Sequence, residues 1–317
     1  MRTTEIRGID PELTAAIAGG ERPDLSGDLV SARRIMSSDG LPIAQAETTY
    51  GPRVEVTEHV LDLEDRSLDV RIYAPKGLNA PAPALLLLHG GAFVGGDRAA
   101  EHARSLCYAA ETGCAIVCPE YRLAPEHAYP AALEDVLATL EWMRNPALGI
   151  DADRIGVGGV SAGGALAAGA VLKLRDTGRE VPNVLVLLFP VLDDRLESNS
   201  VLTFTDSPVW DAANSREMWN HYLRGTVADE YAAPARAAGL AGLPPSYVLA
   251  ADYDPLRDEA LEFARRMVAD GVPVDLRLWS GAFHVFDQLA PEATLARQAV
   301  NDQLHFLRRY LVRAPGM

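Results

Sequence analysis

The chain has 317 residues, 48% hydrophobic and 23% charged, a balance typical of a soluble folded protein. Its formal net charge of −15 argues against partners that need a basic surface, namely nucleic acid and anionic membranes. The N-terminus lacks the apolar core of a secretory leader, and no apolar run reaches the roughly 20 residues of a membrane helix. We therefore expect a cytoplasmic location. Cys107, Cys114 and Cys118 fit neither a disulfide framework nor a zinc signature, so reduced, buried thiols are expected.

Residues 1–50 are polar and are interrupted repeatedly by proline, glycine and serine. Asp10 and Pro11 are typical of a helix start, with proline in the first turn. Because this region lacks long apolar runs, it is predicted to cover the core. Residues 54–60 and 68–73 alternate apolar and polar side chains, which predicts two half-buried strands. The short gap between them favours an antiparallel pair at a sheet edge.

Short, almost wholly apolar runs follow, as expected for strands covered on both faces of a parallel sheet. They lie at 84–88, 115–118, 184–189 and 247–250. Helix-like segments separate them, with apolar residues at helical spacing in 133–140 and 256–267. This alternation predicts an α/β fold with a doubly wound, mostly parallel sheet, in a single domain of residues 1–317. Residues 193–240 interrupt this alternation of strands and helices and are interpreted as an insertion above the sheet.

The strongest chemical motif is Gly-Val-Ser-Ala-Gly at 159–163, which fits the Gly-x-Ser-x-Gly nucleophile elbow. A strand-like segment at 155–158 precedes it and a helix-like run begins at Ala165. Such a turn exposes the serine hydroxyl at the end of a strand, and the glycines leave room for the tight backbone. We therefore predict that Ser161 is a nucleophile.

A second motif, His-Gly-Gly-Ala-Phe at 89–93, directly follows the strand-like run 84–88. Acyl transfer passes through a tetrahedral oxyanion, which needs N–H donors already in place. A glycine-rich loop after a central strand supplies such donors, together with the N–H of the residue after the nucleophile. The predicted oxyanion hole comprises this loop and that residue: Gly90, Gly91, Ala92 and Ala162.

The nucleophile needs a base, and three histidines follow it in the chain. His221 lies in the insertion, and His305 lies in a helical C-terminal stretch that points to a structural role. His284 comes just after the strand-like segment 274–279, where the sites of α/β proteins are found. We therefore predict His284 as the base.

The carboxylate that orients the base cannot be chosen from the residues alone. Asp252 and Asp254 both follow the strand-like run 247–250, and Asp254, before Pro255, could equally serve as a helix N-cap. Asp258 and Glu259 fall on the following helix and are expected to be solvated or ion-paired.

Taken together, these motifs resemble those of the hormone-sensitive-lipase-like (bacterial family IV) esterases, a group with the α/β-hydrolase fold. The likeness runs from about residue 68 to the C-terminus. It includes Tyr-Arg-Leu-Ala-Pro-Glu at 121–126, Pro-Ala-Ala-Leu-Glu-Asp at 130–135 and Asp-Pro-Leu-Arg-Asp-Glu at 254–259. The resemblance implies that Asp254 completes a triad with Ser161 and His284. It also implies a helical cap built from residues of about 1–50 and 193–240.

The chain departs from the family pattern at two positions. Ala92 stands where the family loop usually has a third glycine, and Val160 precedes the nucleophile where Asp, Thr or Glu is common. Alanine keeps its N–H, so the oxyanion hole is retained if the backbone dihedrals suit a Cβ. Val160 is outside the predicted triad, but it leaves the subgroup and the substrate preference open.

The family resemblance implies a carboxylesterase that hydrolyses small short-chain acyl or aryl esters through an acyl-enzyme, without cofactor or metal. It also implies a possible homodimer. The same triad could hydrolyse amides or peptides, which is the alternative within enzymes. Plant hormone receptors share the fold as binding proteins, but they lack a working triad histidine, whereas His284 is present here.

Overall fold

The computed structural model describes residues 8–18, 21–37, 43–78 and 81–312. Across these residues the chain forms one eight-stranded sheet with the order β1-β2-β4-β3-β5-β6-β7-β8. The strands are β1 (Val54–Asp62), β2 (Ser67–Pro75), β3 (Ala82–Leu88), β4 (Ala115–Pro119), β5 (Ile150–Val160), β6 (Leu185–Leu188), β7 (Ser246–Tyr253) and β8 (Val274–Phe283).

The helices connect these strands or precede them. They are α1 (Pro11–Ile17), α2 (Leu29–Met36), α3 (Ile43–Thr49), α4 (His102–Thr112), α5 (Ala131–Trp142), α6 (Ala162–Asp176), α7 (Asn199–Thr203), α8 (Ala212–Leu223), α9 (Arg257–Ala269), α10 (Phe286–Leu289) and α11 (Thr294–Leu307). Single 3₁₀ turns occur at Gly51–Arg53, Pro146–Leu148 and Pro234–Arg236, and a π-helical turn at Arg308–Val312 ends the described chain.

The pairing of the strands confirms the predicted sheet. β1 pairs with β2, and β2 with β4, in antiparallel fashion, whereas β3 to β8 pair in parallel. Every residue of β3 is buried, as its unbroken apolar sequence predicts for a strand covered on both faces. The predicted doubly wound α/β fold is therefore correct.

The sheet separates two hydrophobic cores. One contains residues of α5, α6, α8 and α9, and the other contains residues of α4 and α11. Leu25 and Ala32 lie in the first core, but Leu13 of α1 and Ala46 of α3 lie in the second. The N-terminal region thus packs on both faces of the sheet, and only part of it shares a core with the insertion.

The segment before α2 is hydrogen-bonded to the insertion that carries α7 and α8. The Asn214 side chain accepts the Leu25 N–H at 3.0 Å and donates to the Pro23 carbonyl at 3.0 Å. Arg22 pairs with Asp206 at 2.7 Å. These contacts join residues 22–25 to the insertion, so the two segments predicted to form a cap are connected through this part of the N-terminal region.

All three cysteines are free and buried, as predicted. None of the helices within the described ranges combines the length and the apolar character needed to cross a membrane. In the same residues, no group of three or more His, Cys, Asp or Glu side chains is arranged to hold a metal ion.

Candidate active site

Four strands end beside one another, and the residue after each strand is one that the sequence singled out. His89 follows β3, Ser161 follows β5, Asp254 follows β7 and His284 follows β8. Since these strands are parallel, their carboxyl ends lie at the same edge of the sheet. The sheet itself therefore brings these four residues to the same edge.

Ser161 occupies a strained turn between β5 and α6. Its φ of 55° and ψ of −116° lie outside the regions that ordinary residues favour. A Cβ on Gly159 would come within 2.3 Å of the Gly163 backbone, and one on Gly163 within 2.4 Å of the Leu88 carbonyl oxygen. The two glycines are therefore needed for the close backbone approach that the predicted elbow requires.

Ser161, His284 and Asp254 form a continuous hydrogen-bonded row. His284 Nε2 lies 3.1 Å from Ser161 Oγ, and His284 Nδ1 lies 2.7 Å from Asp254 Oδ2. All three side chains are buried. A proton on Nδ1 that is donated to the carboxylate leaves Nε2 free to accept the serine proton, which is the arrangement a general base requires.

The second candidate carboxylate, Asp252, lies away from this row. It is the penultimate residue of β7, and its oxygens approach Arg257 Nη1 and Ser280 Oγ at 3.4 Å. Asp254 lies beyond the strand end, and its second oxygen accepts the Leu256 N–H at 3.0 Å. Of the two, only Asp254 contacts His284.

The loop after β3 lies against the elbow. A Cβ on Gly90 would be 3.6 Å from Ser161 Cβ, so the loop backbone passes directly beside the nucleophile. The N–H groups of Gly91 and Ala92 donate to no acceptor within the described residues. The N–H of Ala162, the first residue of α6, has no partner inside the helix. The N–H groups of Gly91, Ala92 and Ala162 thus have no competing acceptor in the described part of the chain, and the oxyanion hole of Gly90, Gly91, Ala92 and Ala162 stays a prediction.

Ala92, the departure from the family loop, adopts the backbone that a glycine would favour. Its φ is 57°, and Gly91 before it has a φ of 120°. The left-handed region costs an alanine about 1 kcal/mol or more, and its methyl group is buried here. The backbone at this position is therefore one that a Cβ disfavours but does not exclude, and retention of the oxyanion hole stays a prediction.

Two aromatic side chains flank His284, and no sequence motif pointed to either of them. Phe189 makes an edge-to-face contact with the imidazole at 5.5 Å between centroids, and Trp210 lies at 6.3 Å. Phe189 follows the end of β6, whereas Trp210 belongs to the insertion. Their apolar surfaces limit the access of water to the imidazole.

Glu259 differs from its predicted setting. It is 5% exposed and accepts the Leu192 N–H at 2.7 Å, whereas the sequence suggested a solvated or ion-paired side chain. Burial raises the pKa of Glu259 well above its usual range, and the nearby Asp193 and Asp254 carboxylates raise it further. The prediction was wrong because α9 turns this position towards the loop that follows β6. Asp258, by contrast, is paired with Arg257 as expected.

The other two histidines that follow Ser161 in the chain lie away from it. His221 is in α8, with Nε2 2.9 Å from the Leu25 carbonyl oxygen, and His305 is exposed on α11. Neither contacts Ser161.

The fold defines a class of enzyme, the α/β-hydrolases, and comparison with known proteins agrees. The profile of a family described as having the alpha/beta hydrolase fold matches residues 85–288. An esterase of Mycobacterium tuberculosis, LipI, is 33% identical over 267 residues, covering 81% of this chain and 82% of LipI. An arylesterase of Saccharolobus solfataricus is 33% identical over 251 residues, covering 74% and 78%.

Among solved structures, a bacterial heroin esterase superposes with a TM-score of 0.86 at 36% identity, covering 96% of this chain and 98% of that one. The chain belongs to the hormone-sensitive-lipase-like family of α/β-hydrolases, as the sequence motifs indicated. The prediction of a carboxylic ester hydrolase is confirmed at the level of the enzyme class, since these relatives are named esterases.

Proposed function

We propose that this chain is a serine carboxylesterase that hydrolyses short-chain acyl or aryl esters through an acyl-enzyme. The observation that carries the proposal is the row Asp254–His284–Ser161, with distances of 2.7 and 3.1 Å. The relatives support the type of substrate, since they include an arylesterase and a heroin esterase.

In the first half of the reaction, Ser161 Oγ attacks the ester carbonyl carbon while His284 Nε2 takes its proton. The carbonyl oxygen becomes an oxyanion and accepts hydrogen bonds from the N–H groups of Gly91, Ala92 and Ala162. The carboxylate of Asp254 stabilises the imidazolium. His284 then gives the proton to the leaving alcohol oxygen as the ester C–O bond breaks, which leaves an acyl group on Ser161.

In the second half, a water molecule replaces the alcohol. His284 takes a proton from this water as it attacks the acyl carbon, and the oxyanion forms again at the same donors. When the intermediate collapses, the proton returns to Ser161 Oγ and the carboxylic acid is released. Every step uses side chains and N–H groups of the chain itself.

The substrate class rests on the buried aromatic side chains around the site. Phe189 and Trp210 lie beside His284, and Phe93, directly after the predicted oxyanion donors, stacks on Tyr222 at 3.8 Å. Apolar walls of this kind suit acyl and aryl groups and offer no charged group to recognise a peptide chain. We therefore propose that the substrates are esters and not amides.

The test compares the wild type with Ser161→Ala on p-nitrophenyl acetate and on the matched anilide. We expect the wild type to cleave the ester far faster than the anilide, with a burst of p-nitrophenol equal to the enzyme concentration if deacylation is slower. Ser161→Ala should lose roughly 10³-fold or more in kcat, as removal of a serine nucleophile does elsewhere. Wild-type activity in Ser161→Ala would refute the proposal, and faster anilide cleavage would favour an amidase.

A further inference from the structure

The oxyanion loop is held in an unfavourable backbone conformation. Gly91, Ala92 and Phe93 have consecutive φ values of 120°, 57° and 61°. Residues with a Cβ rarely adopt the left-handed region, and two of these three carry one. Such a conformation persists only where surrounding contacts determine it. The groups that hold the loop therefore contribute to the geometry of the predicted oxyanion hole.

Hydrogen bonds within the loop hold only part of it. The N–H groups of Val94 and Gly95 both donate to the Gly91 carbonyl, at 3.0 and 2.8 Å. The Ala124 N–H donates to the Phe93 carbonyl at 2.9 Å, which joins the loop to the segment after β4. These bonds leave the Val94 and Ala124 carbonyls free to accept from elsewhere.

Arg33 of α2 donates to both of those carbonyls. Its Nε lies 2.6 Å from the Val94 oxygen, and its Nη2 lies 3.1 Å from the Ala124 oxygen. The helix also packs directly on the loop, since a Cβ on Gly95 would lie 2.7 Å from Met36 Cε and 3.3 Å from Arg33 Cγ. One guanidinium thus bridges the oxyanion loop and the segment that supports it.

The outer side of the same guanidinium meets Glu126. The closest contact of this ion pair is 2.6 Å, and the Glu126 side chain is 55% exposed, against 31% for Arg33. The ion pair therefore lies at the rim, where solvent weakens it, whereas the carbonyl contacts face inward. Substitutions can therefore remove the ion pair of Arg33 with Glu126 without removing its hydrogen bonds to the two carbonyls.

We propose that Arg33 is a positioning residue for the reaction, because it holds the oxyanion loop in the geometry that stabilises the tetrahedral intermediate. The inference rests on the proposed esterase function and extends it to α2. A loop that loses the bridge relaxes towards ordinary dihedrals, and the N–H groups of Gly91 and Ala92 turn away from the oxyanion. Since these donors act on the intermediate more than on the bound ester, the loss falls on kcat more than on KM.

The test uses Arg33→Met with two matched controls. Arg33→Met keeps most of the apolar stem but removes both donors, and we expect kcat to fall by about 10-fold to 100-fold, against the 10²–10³ that loss of a whole oxyanion donor costs. KM should stay within about twofold. The affinity for a trifluoromethyl ketone, which forms a tetrahedral adduct with serine, should fall in parallel with kcat. A merely structural role would lower the melting temperature and leave both quantities unchanged per folded enzyme.

The controls are Glu126→Gln and Arg34→Met. Glu126→Gln removes the ion pair but leaves the two carbonyl contacts, and Arg34 is a largely exposed neighbour on the same helix, 4.0 Å from Glu21. Both should keep kcat within about threefold of the wild type. If Arg33→Met does not fold, Arg33→Gln, which also lacks the two-carbonyl bridge, takes its place with the same expectation.

Unchanged kcat and trifluoromethyl ketone affinity in the folded Arg33 variant would overturn the inference while leaving the esterase function intact. An equal loss in Glu126→Gln would also overturn it, because the ion pair would then explain the effect. A wild type without activity that depends on Ser161 would overturn the proposed function, and this inference with it.

Discussion

Asp254 makes two hydrogen bonds that fix its carboxylate, one to His284 Nδ1 at 2.7 Å and one from the Leu256 N–H at 3.0 Å. Asp254→Asn keeps the shape but places an amide opposite Nδ1, which favours the wrong imidazole tautomer. We expect kcat on a soluble ester to fall by roughly 10³–10⁴-fold, scaled from serine proteases. Circular dichroism checks that the variant is folded.

Asp252→Asn is the matched control, two residues earlier on β7. The Asp252 carboxylate is partly exposed and approaches Arg257 and Ser280 only at 3.4 Å, so its loss should change kcat by no more than about threefold. If Asp252→Asn lost activity while folded Asp254→Asn kept it, the assignment of the triad acid would be wrong.

His89 is a second residue whose environment has a measurable consequence. Its Nδ1–H donates to the Gly90 carbonyl at 2.7 Å, and its ring stacks on Tyr121 at 4.1 Å. Nε2 is buried and has no hydrogen-bond partner in the part of the chain that the structure describes. Burial lowers the pKa of His89 to about 4. A proton on Nε2 would bring an unpaired charge into the interior, so the folded chain resists protonation.

This depressed pKa predicts a loss of stability in mild acid. Below an unfolded-state pKa of about 6.5, the unfolded chain binds a proton that the folded chain does not. The contribution of His89 is therefore present above pH 6.5 or so and is lost as the pH falls towards 4, by about 3 kcal/mol in order of magnitude. Urea unfolding between these pH values should show a shallower decline for His89→Gln than for the wild type. Identical slopes would contradict the prediction.

A buried polar cluster connects three helices behind the site. It comprises Glu101, Arg104, Asp287 and Gln303. Arg104 contacts Glu101 at 2.9 Å, Asp287 at 3.0 Å and Gln303 at 2.9 Å. Asp287 lies on α10, three residues after His284, so the cluster joins the histidine-bearing segment to α4 and α11.

Removal of the cation from this cluster should destabilise the whole chain. Arg104→Met leaves two buried carboxylates without a positive partner, and the expected loss in free energy of unfolding is about 3–5 kcal/mol. Urea denaturation measures it. Arg265→Met, which breaks an exposed pair with Glu262 on α9, is the control and should remain close to the wild type. Similar losses in the two variants would show that burial of the cluster contributes little.

Sequence patterns predicted the strands well where both faces are buried and less well where they are not. The runs 84–88 and 115–118 correspond closely to β3 and β4, since every residue of both strands is buried. β5 begins at Ile150, five residues before the predicted 155–158. Its first residues include Asp151, Asp153 and Arg154, which lie near solvent and interrupt the apolar pattern.

The sequence pattern also placed the end of β7 too early, which is why it left the choice between the two aspartates open. The apolar run at 247–250 suggested that the strand stops there, which placed both Asp252 and Asp254 in the following loop. β7 continues through Tyr253, so Asp252 lies within the strand, at the register shift between Ala251 and Tyr253, and Asp254 is the first residue outside the strand. Arg33 and Glu259 had no local signal at all, because their partners lie 61 and 67 positions away in the chain.

At the scale of the molecule, residues 22–25 and the insertion are hydrogen-bonded to each other beside a single sheet. We propose that residues 22–36 and 193–240 form the cap, and that α1 and α3 belong to the body, because Leu13 and Ala46 pack in the core of α4 and α11. Both cores share the sheet, which supports a single domain. The homodimer and the cytoplasmic location stay predictions.

The proposed cap predicts an upper limit on the length of the acyl group of the substrate. Phe93 contacts Trp219 and Tyr222 of the proposed cap, and Trp210 of the cap lies beside His284, so we expect aromatic rings to bound the acyl group attached to Ser161. Across a series of p-nitrophenyl esters, kcat/KM should be highest for acyl groups of about two to eight carbons and fall sharply beyond them. Faster turnover of emulsified long-chain triglycerides than of soluble short esters would contradict this.

Gly163 brings the two halves of the reaction centre into backbone contact, since its missing Cβ would lie 2.4 Å from the Leu88 oxygen and 2.5 Å from the His89 oxygen. Any side chain at Gly163 would force the nucleophile elbow and the oxyanion loop away from each other. A substitution at Gly163 therefore cannot change the nucleophile elbow without also displacing the oxyanion loop. A laboratory selection for new ester preferences is therefore expected to collect its changes in the insertion, where side chains can vary while the nucleophile and its donors keep their spacing.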